Sequence, residues 1–517
     1  MAAAPDPAAA QSSPCAGDFP ASSVEQKPGP PLRFGITPSG AAGQIGASPS
    51  AFFPDDYEQI LPRLAELRPP GGPFVTHVYT SWGTDSPAET TRLQDIVDRY
   101  SREGYLVELV LRYKPRPEQE GDIAAYAEYI RRMVRAFGPN RRVIAFQVTN
   151  EVNLTFSGDS SDGIFRGAQD ALVQGILAGD DETKKLGYEQ LELGFNWFYR
   201  LDDNTERNFW EGLRDRGGPP FVAALDWIGL DAYPGTFFPP ETPPGGVPAD
   251  DRNAIVNALS TLRCFARIPG IPKRVPIHVQ ENGYPTGPGQ RTYERQAETL
   301  GRMVDAFHDY RGTYNVTDYR WFNMRDADTS SPNFQQQYGL LRSDYVPKPA
   351  FGVYRDRIAR LSVRSPAPEL TLEVAARGAD ATGAGGCAAQ GVSATVTGPD
   401  VPEIRSVAFV LDGQRRGRDA TAPFGRAFRP DARATVRVHR IAATVTLLDG
   451  RELALEARFT TCARRAPASR PEKPGRPGAD RPNRPRSGSC GPAGPGVCAR
   501  NQRGTGRRSV GKTVGGA

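Results

Sequence analysis

The chain has no long apolar run. No stretch of its 517 residues approaches the roughly 18 apolar side chains that a membrane-spanning helix needs, so no span is expected. Met1 to Lys27 is rich in Ala, Pro and Ser and lacks the apolar core, about 7–15 residues long, of a secretory signal. It reads as a flexible leader or a mature start. Histidine is scarce, with four in all. None of the six cysteines, Cys15, Cys264, Cys387, Cys462, Cys490 and Cys498, falls into a CxxC or another metal-ligand spacing. No metal or organic cofactor is therefore expected, although an even cysteine count allows disulfides. A phosphate-cradling glycine loop is missing as well. Phe34-Gly-Ile-Thr-Pro38 contains no G-x-G-x-x-G, and Gly40, Gly43 and Gly46 are wrongly spaced for one.

Charge is present but unevenly placed. Residues 463–517 hold thirteen Lys/Arg against two Asp/Glu, or +11, so the overall +5 leaves −6 for residues 1–462. A mildly acidic body suits a neutral substrate and gives no support for nucleic-acid binding there. The Arg/Pro/Gly-rich end has almost no large apolar side chains and is expected to stay disordered. Its charge suggests contact with an acidic cell-wall polymer or nucleic acid.

From Leu32 to Leu361, short β-rich runs alternate with amphipathic ones. Eight strands are predicted: Leu32–Thr37, Phe74–Thr80, Leu106–Arg112, Val143–Asn150, Glu189–Phe195, Trp227–Ala232, Ile277–Gln280 and Tyr319–Asn323. Helical spacing is clearest at Asp122–Phe137, with Asp122 as N-cap, and at Tyr293–Tyr310. Eight such units predict a (β/α)8 TIM barrel with its site at the C-terminal strand ends, in preference to an open doubly wound sheet. Short alternating strands follow at Leu370–Val374, Val392–Val396, Val407–Leu411, Thr435–Val438, Ala442–Leu447 and Leu453–Phe459, with hairpin turns at Asp412-Gly413 and Asp449-Gly450. They predict a small antiparallel sandwich, in which Cys387 and Cys462 are expected to pair, the alternative being two buried thiols. The expected organisation is a disordered leader over 1–30, a barrel over 31–363, a sandwich over 367–463 and a basic tail over 464–517.

Two glutamates end predicted strands, the fourth at Glu151 and the seventh at Glu281. Two carboxyls on one rigid scaffold are what glycoside cleavage uses: an acid to protonate the leaving oxygen and a carboxylate to meet the oxocarbenium-like carbon. Glu151 follows Asn150, whose amide could bond a sugar hydroxyl, and its acid role needs a raised pKa. Glu281 should stay ionised and wants donors nearby; Tyr233, at the end of the sixth predicted strand, could be one. Trp321 offers an aromatic platform for a sugar ring, and Trp82 a second. Arg112 could orient a carboxylate, and Asn323 lies beside the platform. Each has a plainer reading taken alone: Glu151 as a loop cap, Tyr233 as a rim packing residue, the tryptophans as core, Arg112 as a surface ion pair. His77 and His278 lie within strands and read as core or rim residues.

The ordered set Asn150-Glu151, Tyr233-Pro234, Glu281-Asn-Gly and Trp321 resembles the clan of retaining (β/α)8-barrel glycoside hydrolases that includes the family-five cellulases and mannanases. The run from Tyr338-Gly-Leu-Leu to Pro347-Lys-Pro-Ala-Phe351 is similar to the clan's closing segment. The sandwich resembles immunoglobulin-like modules appended to bacterial secreted enzymes. The resemblance implies double displacement on a poly- or oligosaccharide with no cofactor, Glu281 as nucleophile and Glu151 as acid/base. The appended module and the cysteine pattern point to an extracellular or cell-surface location, against the missing signal, and a monomer is expected. One departure is plain: many family-five members carry His-x-Tyr at strand six, and this chain has Asp231-Ala-Tyr233. A non-catalytic carbohydrate-binding protein and a transglycosylase are the alternatives.

Overall fold

Eight parallel strands follow one another in chain order and close on themselves: β1 (Arg33–Ile36), β2 (Val75–Ser81), β3 (Leu106–Arg112), β4 (Val143–Val148), β5 (Glu192–Phe198), β6 (Trp227–Ala232), β7 (Ile277–Asn282) and β8 (Val316–Trp321). Parallel pairing of β8 with β1 shuts the ring. The computed structural model describes residue 15 and residues 21–40, 53–69, 71–237, 251–364, 366–377, 382–383, 387–429, 436–448 and 451–462. Helices α1 (Tyr57–Leu67), α2 (Pro87–Arg102), α3 (Ile123–Phe137), α4 (Ala168–Leu186), α5 (Asp203–Ala223), α6 (Asp251–Phe265), α7 (Tyr293–Asp309), the short α8 (Arg311–Tyr314) and α9 (Pro349–Leu361) lie between and after the strands. The chain marks several helix starts itself: the side chains of Asp56, Ser86, Asp122, Asp202 and Thr292 accept a first-turn backbone N–H. The fold is thus a TIM barrel, as the alternating pattern predicts.

Alternation along each strand separates an oily outside from a polar inside. On β3, Val107, Leu109 and Leu111 join the main apolar core. Glu108 points the other way and meets side chains from across the ring. Its carboxylate accepts from Arg320 Nε at 3.0 Å and from Gln280 Nε2 at 2.7 Å, and lies 3.4 Å from His77 Nδ1. Arg320 also pairs with Asp318 at 2.8 Å, which Arg33 joins at 2.6 Å. The barrel is therefore plugged by a buried ion network, with His77 and His278 inside it as expected for core histidines. Burial alone would raise the Glu108 pKa, but the Arg320 charge and the His77 contact outweigh it and bring it to about 2.

Beyond α9, strands β9 (Thr371–Ala376), β10 (Thr382–Gly383), β11 (Cys387–Ala388), β12 (Val392–Thr397), β13 (Ile404–Leu411), β14 (Gln414–Asp419), β15 (Gly425–Phe428), β16 (Arg437–Leu447) and β17 (Glu452–Thr461) form two sheets. Their orders are β10-β11-β17-β16-β13-β14 and β15-β12-β9. Val392, Ala394 and Val396 of one sheet share an apolar core with Val407, Phe409, Ile441 and Val445 of the other, which makes a β-sandwich. Asp412-Gly413 turns β13 into β14, with both residues at positive φ. Asp449-Gly450 lies outside the described residues. The sandwich leans on the barrel through Arg405, whose guanidinium reaches the Glu103 carboxylate at 2.9 Å.

Several boundaries differ from the sequence expectation. The fifth strand starts and ends three residues later, and the eighth starts three residues and ends two residues earlier. The two strands expected at Thr435–Val438 and Ala442–Leu447 are one, and β14 and β15 escape a hydrophobic pattern because they are rich in Arg and Gly. Cys387 and Cys462 are bonded, S–S 2.00 Å. A second disulfide, Cys15–Cys264, was not anticipated. For residues 15 and 21–30, the described part of the leader expected to be disordered over 1–30, it corrects that expectation. Where that segment is described it is docked on the barrel, with Ala21 N donating to Asn253 Oδ1 at 2.6 Å and Lys27 N to Thr313 Oγ1 at 3.0 Å. Cys490, Cys498 and the basic tail lie outside the described residues.

The Glu108 network makes a testable claim. With a folded pKa near 2 against an ordinary 4.5, its contribution is full above pH 4.5 and is lost as pH falls toward 2. Denaturant unfolding across that window should show stability falling with acid, and Glu108→Gln should flatten that part of the curve. Glu108→Ala should cost about 3 kcal/mol, because it strips a partner from buried Arg320.

Candidate active site

Glu151 and Glu281 meet at the C-terminal mouth of the barrel, and neighbouring backbone is bent to bring them there. Thr149 and Glu151 both have positive φ, 68° and 46°. That is an unfavourable conformation for a β-branched threonine. Fixed hydrogen bonds hold it: Thr149 N donates to Leu111 O at 3.1 Å, Asn150 N to Asp162 Oδ2 at 2.8 Å and Glu151 N to Asn196 Oδ1 at 2.8 Å. Asp162 acts as a clasp between the loops after β3 and β4. Besides Asn150 N, its carboxylate accepts from Tyr113 N at 2.7 Å and Arg112 Nε at 3.0 Å.

Glu281 is held from two sides. Tyr79 Oη donates to its Oε1 at 2.5 Å, and Tyr233 Oη donates to its Oε2. Burial first, and then the Glu281 charge, push both phenols well above their ordinary pKa, so they keep the protons they donate. Glu151 carries no such pair of donors. Burial, then the Glu281 charge, raise its pKa well above the usual carboxylate range; Asp162 adds to this and Arg112 opposes it. Asp231, wholly buried, completes the group: one oxygen from each of Glu151, Asp231 and Glu281 lies within 4.8 Å of the others. This is a place where a cation could be held, but tyrosine hydroxyls already bond both oxygens of Glu281.

Glu151 and Glu281 line a cleft of about 470 Å3. One side is aromatic, formed by Phe198, Tyr233, Phe237, Phe322 and Tyr338; Thr80, Ser81, Arg112, Lys114, Ser157 and Ser160 supply polar lining. Phe156 stands at the rim, 65% exposed, with the Arg200 guanidinium 5.6 Å from its ring centre.

Of the residues singled out by sequence, Glu151, Glu281, Asn150, Tyr233 and Arg112 line this cleft. Arg112 orients a carboxylate, but that of Asp162. The Asn150 amide is tied down, donating to Ser160 O at 2.7 Å and accepting from Gln147 and Asn196. Three expectations are corrected. Trp321 is fully buried in the barrel core, with its indole N–H on Tyr338 O at 3.2 Å, and is no platform. Its neighbour Phe322 faces the cleft, because successive residues of an extended chain point to opposite sides. Trp82 stacks on Tyr113 inside the core, ring centres 5.6 Å apart. Asn323 is buried and does not line the cleft. Tyr79, Asn196 and Asp162 were missed. Tyr79 stood in plain sight near the end of a predicted strand, where tyrosine also reads as ordinary β-former.

No known protein family matches the chain in a scan, and no curated protein matches it. Solved structures resemble it. A β-glucuronidase from Bacteroides uniformis is 12% identical with a TM-score of 0.40, covering 84% of this chain and 46% of its own. The chain thus spans less than half of that protein's length. A family 39 glycoside hydrolase from Bacteroides cellulosilyticus WH2 is 16% identical with a TM-score of 0.44, covering 77% of this chain and 79% of its own. GH5_18 from Streptomyces cattleya, in complex with GlcNAc, is 17% identical with a TM-score of 0.44, covering 66% and 83%. At these identities and scores they are similarities of fold.

The clasp can be tested without any substrate. Asp162→Ala leaves two buried backbone N–H groups and Arg112 Nε without their acceptor and should cost about 3 kcal/mol in chemical denaturation. The amides of Tyr113 and Asn150 should then exchange with solvent faster than in the parent protein. Unchanged exchange at both would mean that the loops are held by something else.

Proposed function

We propose that the protein is a retaining glycoside hydrolase that cleaves β-linked O-glycosidic bonds of a poly- or oligosaccharide by double displacement. Glu281 attacks the anomeric carbon while Glu151 protonates the departing oxygen. Glu151 then takes a proton from water, which displaces Glu281. The observation that carries this reading is the contrast between the two glutamates. Glu281 is an acceptor for two tyrosine hydroxyls, which suits an ionised nucleophile. Glu151 is buried with a raised pKa, which suits an acid that works near neutrality. One oxygen of each lies within 4.8 Å of the other, near the roughly 5–5.5 Å of retaining enzymes and short of the gap that leaves room for water in inverting ones.

The aromatic wall supports a sugar substrate, since the C–H face of a pyranose packs on a π face. Phe322 takes the platform role, and exposed Phe156 extends the cleft outward. The reading includes an extracellular or cell-surface location. Two disulfides, Cys15–Cys264 and Cys387–Cys462, support it, because such bonds persist in oxidising surroundings.

A panel of aryl glycosides and polysaccharides, with the product anomer followed by NMR, tests the assignment. Glu281→Gln should lower kcat by roughly a thousandfold or more. Azide should rescue Glu281→Ala with inversion and Glu151→Ala with retention. Tyr79→Phe removes a hydrogen bond to a charged group and should cost about 10- to 100-fold in kcat. Full activity in Glu281→Gln would end the proposal.

A further inference from the structure

We propose that Asp231 is a positioning residue that remains a neutral carboxylic acid and donates its proton in a hydrogen bond to Glu151, so that the three carboxyls together hold one negative charge. The inference rests on the acid/base reading of Glu151 given above. Its starting point is Asn196, a buried side chain on β5 with both ends committed. Its Oδ1 accepts from Glu151 N at 2.8 Å, so its Nδ2 must be the donor toward Asp231 Oδ2 and toward Asn150 Oδ1, the latter at 3.0 Å. Asp231 Oδ2 is thereby an acceptor. Its other oxygen, Oδ1, is buried and has no donor among the described residues.

The groups around it leave little choice. The hydroxyls of Tyr79 on β2 and Tyr233 after β6 are given to Glu281 on β7. Arg112 on β3 is paired with Asp162, 2.9 Å away. Among the described residues no Lys, Arg or His forms an ion pair with Asp231. One oxygen of Asp231 and one of Glu151 nonetheless lie within 4.8 Å of each other. Ionised carboxylates only accept, so a bond between the two needs a proton on one of them, and the buried, unpartnered Oδ1 of Asp231 is the atom placed to carry it. Burial, followed by the charges of Glu281 and Glu151, favours the protonated form of Asp231.

The three carboxyls then hold one negative charge throughout the reaction. Before the first step Glu281 is ionised, and Glu151 and Asp231 each hold a proton. As the Glu281 oxygen bonds the anomeric carbon, the bond to the leaving oxygen breaks and takes the Glu151 proton. Glu281 is now a neutral ester, and the single charge has passed to Glu151, which accepts the Asp231 O–H. In the second step Glu151 takes a proton from water, the water oxygen bonds the anomeric carbon, and the Glu281 carboxylate leaves with the charge. Two adjacent carboxylates never form, and Asp231 never gives its proton away.

Infrared spectroscopy of the full chain labelled with carboxyl-13C aspartate tests protonation directly. A protonated-carboxyl C=O band that shifts with the label at neutral pH and is absent from Asp231→Asn supports the proposal. Its absence from the labelled parent protein overturns it. This measurement needs no turnover, so it stands or falls separately from the glycosidase reading. It also needs no variant to fold, since the parent spectrum alone can refute it. The pH profile is the second arm. Asp231→Asn should lower kcat by about tenfold, an amide being the weaker donor, and leave the alkaline limb of kcat/KM in place. If Asp231 were ionised, losing its charge would move that limb down by about one pH unit or more, and the proposal would fail.

Discussion

Three carboxyl groups packed within 4.8 Å of one another, out of water, are the constraint around which this barrel is built. Two of them ionised at that distance would repel by roughly 3–4 kcal/mol at an effective dielectric of 20. The fold answers by treating each group differently. Glu281 receives two tyrosine hydroxyls, Asp231 receives an amide N–H from Asn196, and Glu151 receives neither. One scaffold thereby holds three chemically similar side chains in unlike environments, and unlike environments are what separate a nucleophile from an acid.

The rest of the structure makes that arrangement rigid. Beneath the carboxyls, the barrel interior is filled by Glu108, Arg320, Asp318, Gln280 and the two histidines in place of the usual branched aliphatic layers. Buried charges tolerate displacement poorly, because each must keep its partner. Above, Asp162 ties the β3 and β4 loops together and lets Thr149 and Glu151 persist at positive φ. Unfavourable backbone at a strand end is stable only where surrounding bonds over-determine it, as they do here.

Much of this was legible in the chain, and the failures have specific causes. The alternation of strand and helix patterns located the fourth and seventh strand ends, and with them Glu151 and Glu281. Tyr233 was legible because a nucleophile needs a donor and the sixth strand ends beside it. Trp321 was read as the platform, yet a shift of one residue in an extended segment reverses which side chain reaches the cleft, and Phe322 takes that place. Asn196 was hidden by placing the fifth strand three residues early, which put it beyond the strand end. Asp162 lies in an irregular loop with no periodicity to mark it. Asp231 was noticed as a departure from a familiar motif, but its meaning depends on neighbours that are 35 and 80 residues away, Asn196 and Glu151.

The sequence by itself determined the architecture: periodic patterns, capping residues and turn signals are local, and local signals repeated eight times leave few ways to close a sheet. It also determined which residue types stand at the strand ends. Only the tertiary structure decided which of them face one another and in what state. Side-chain direction at a strand end turns on register and on backbone bends that local sequence does not encode. Protonation turns on burial and on charges brought together from distant strands, and neither exists until the ring has closed.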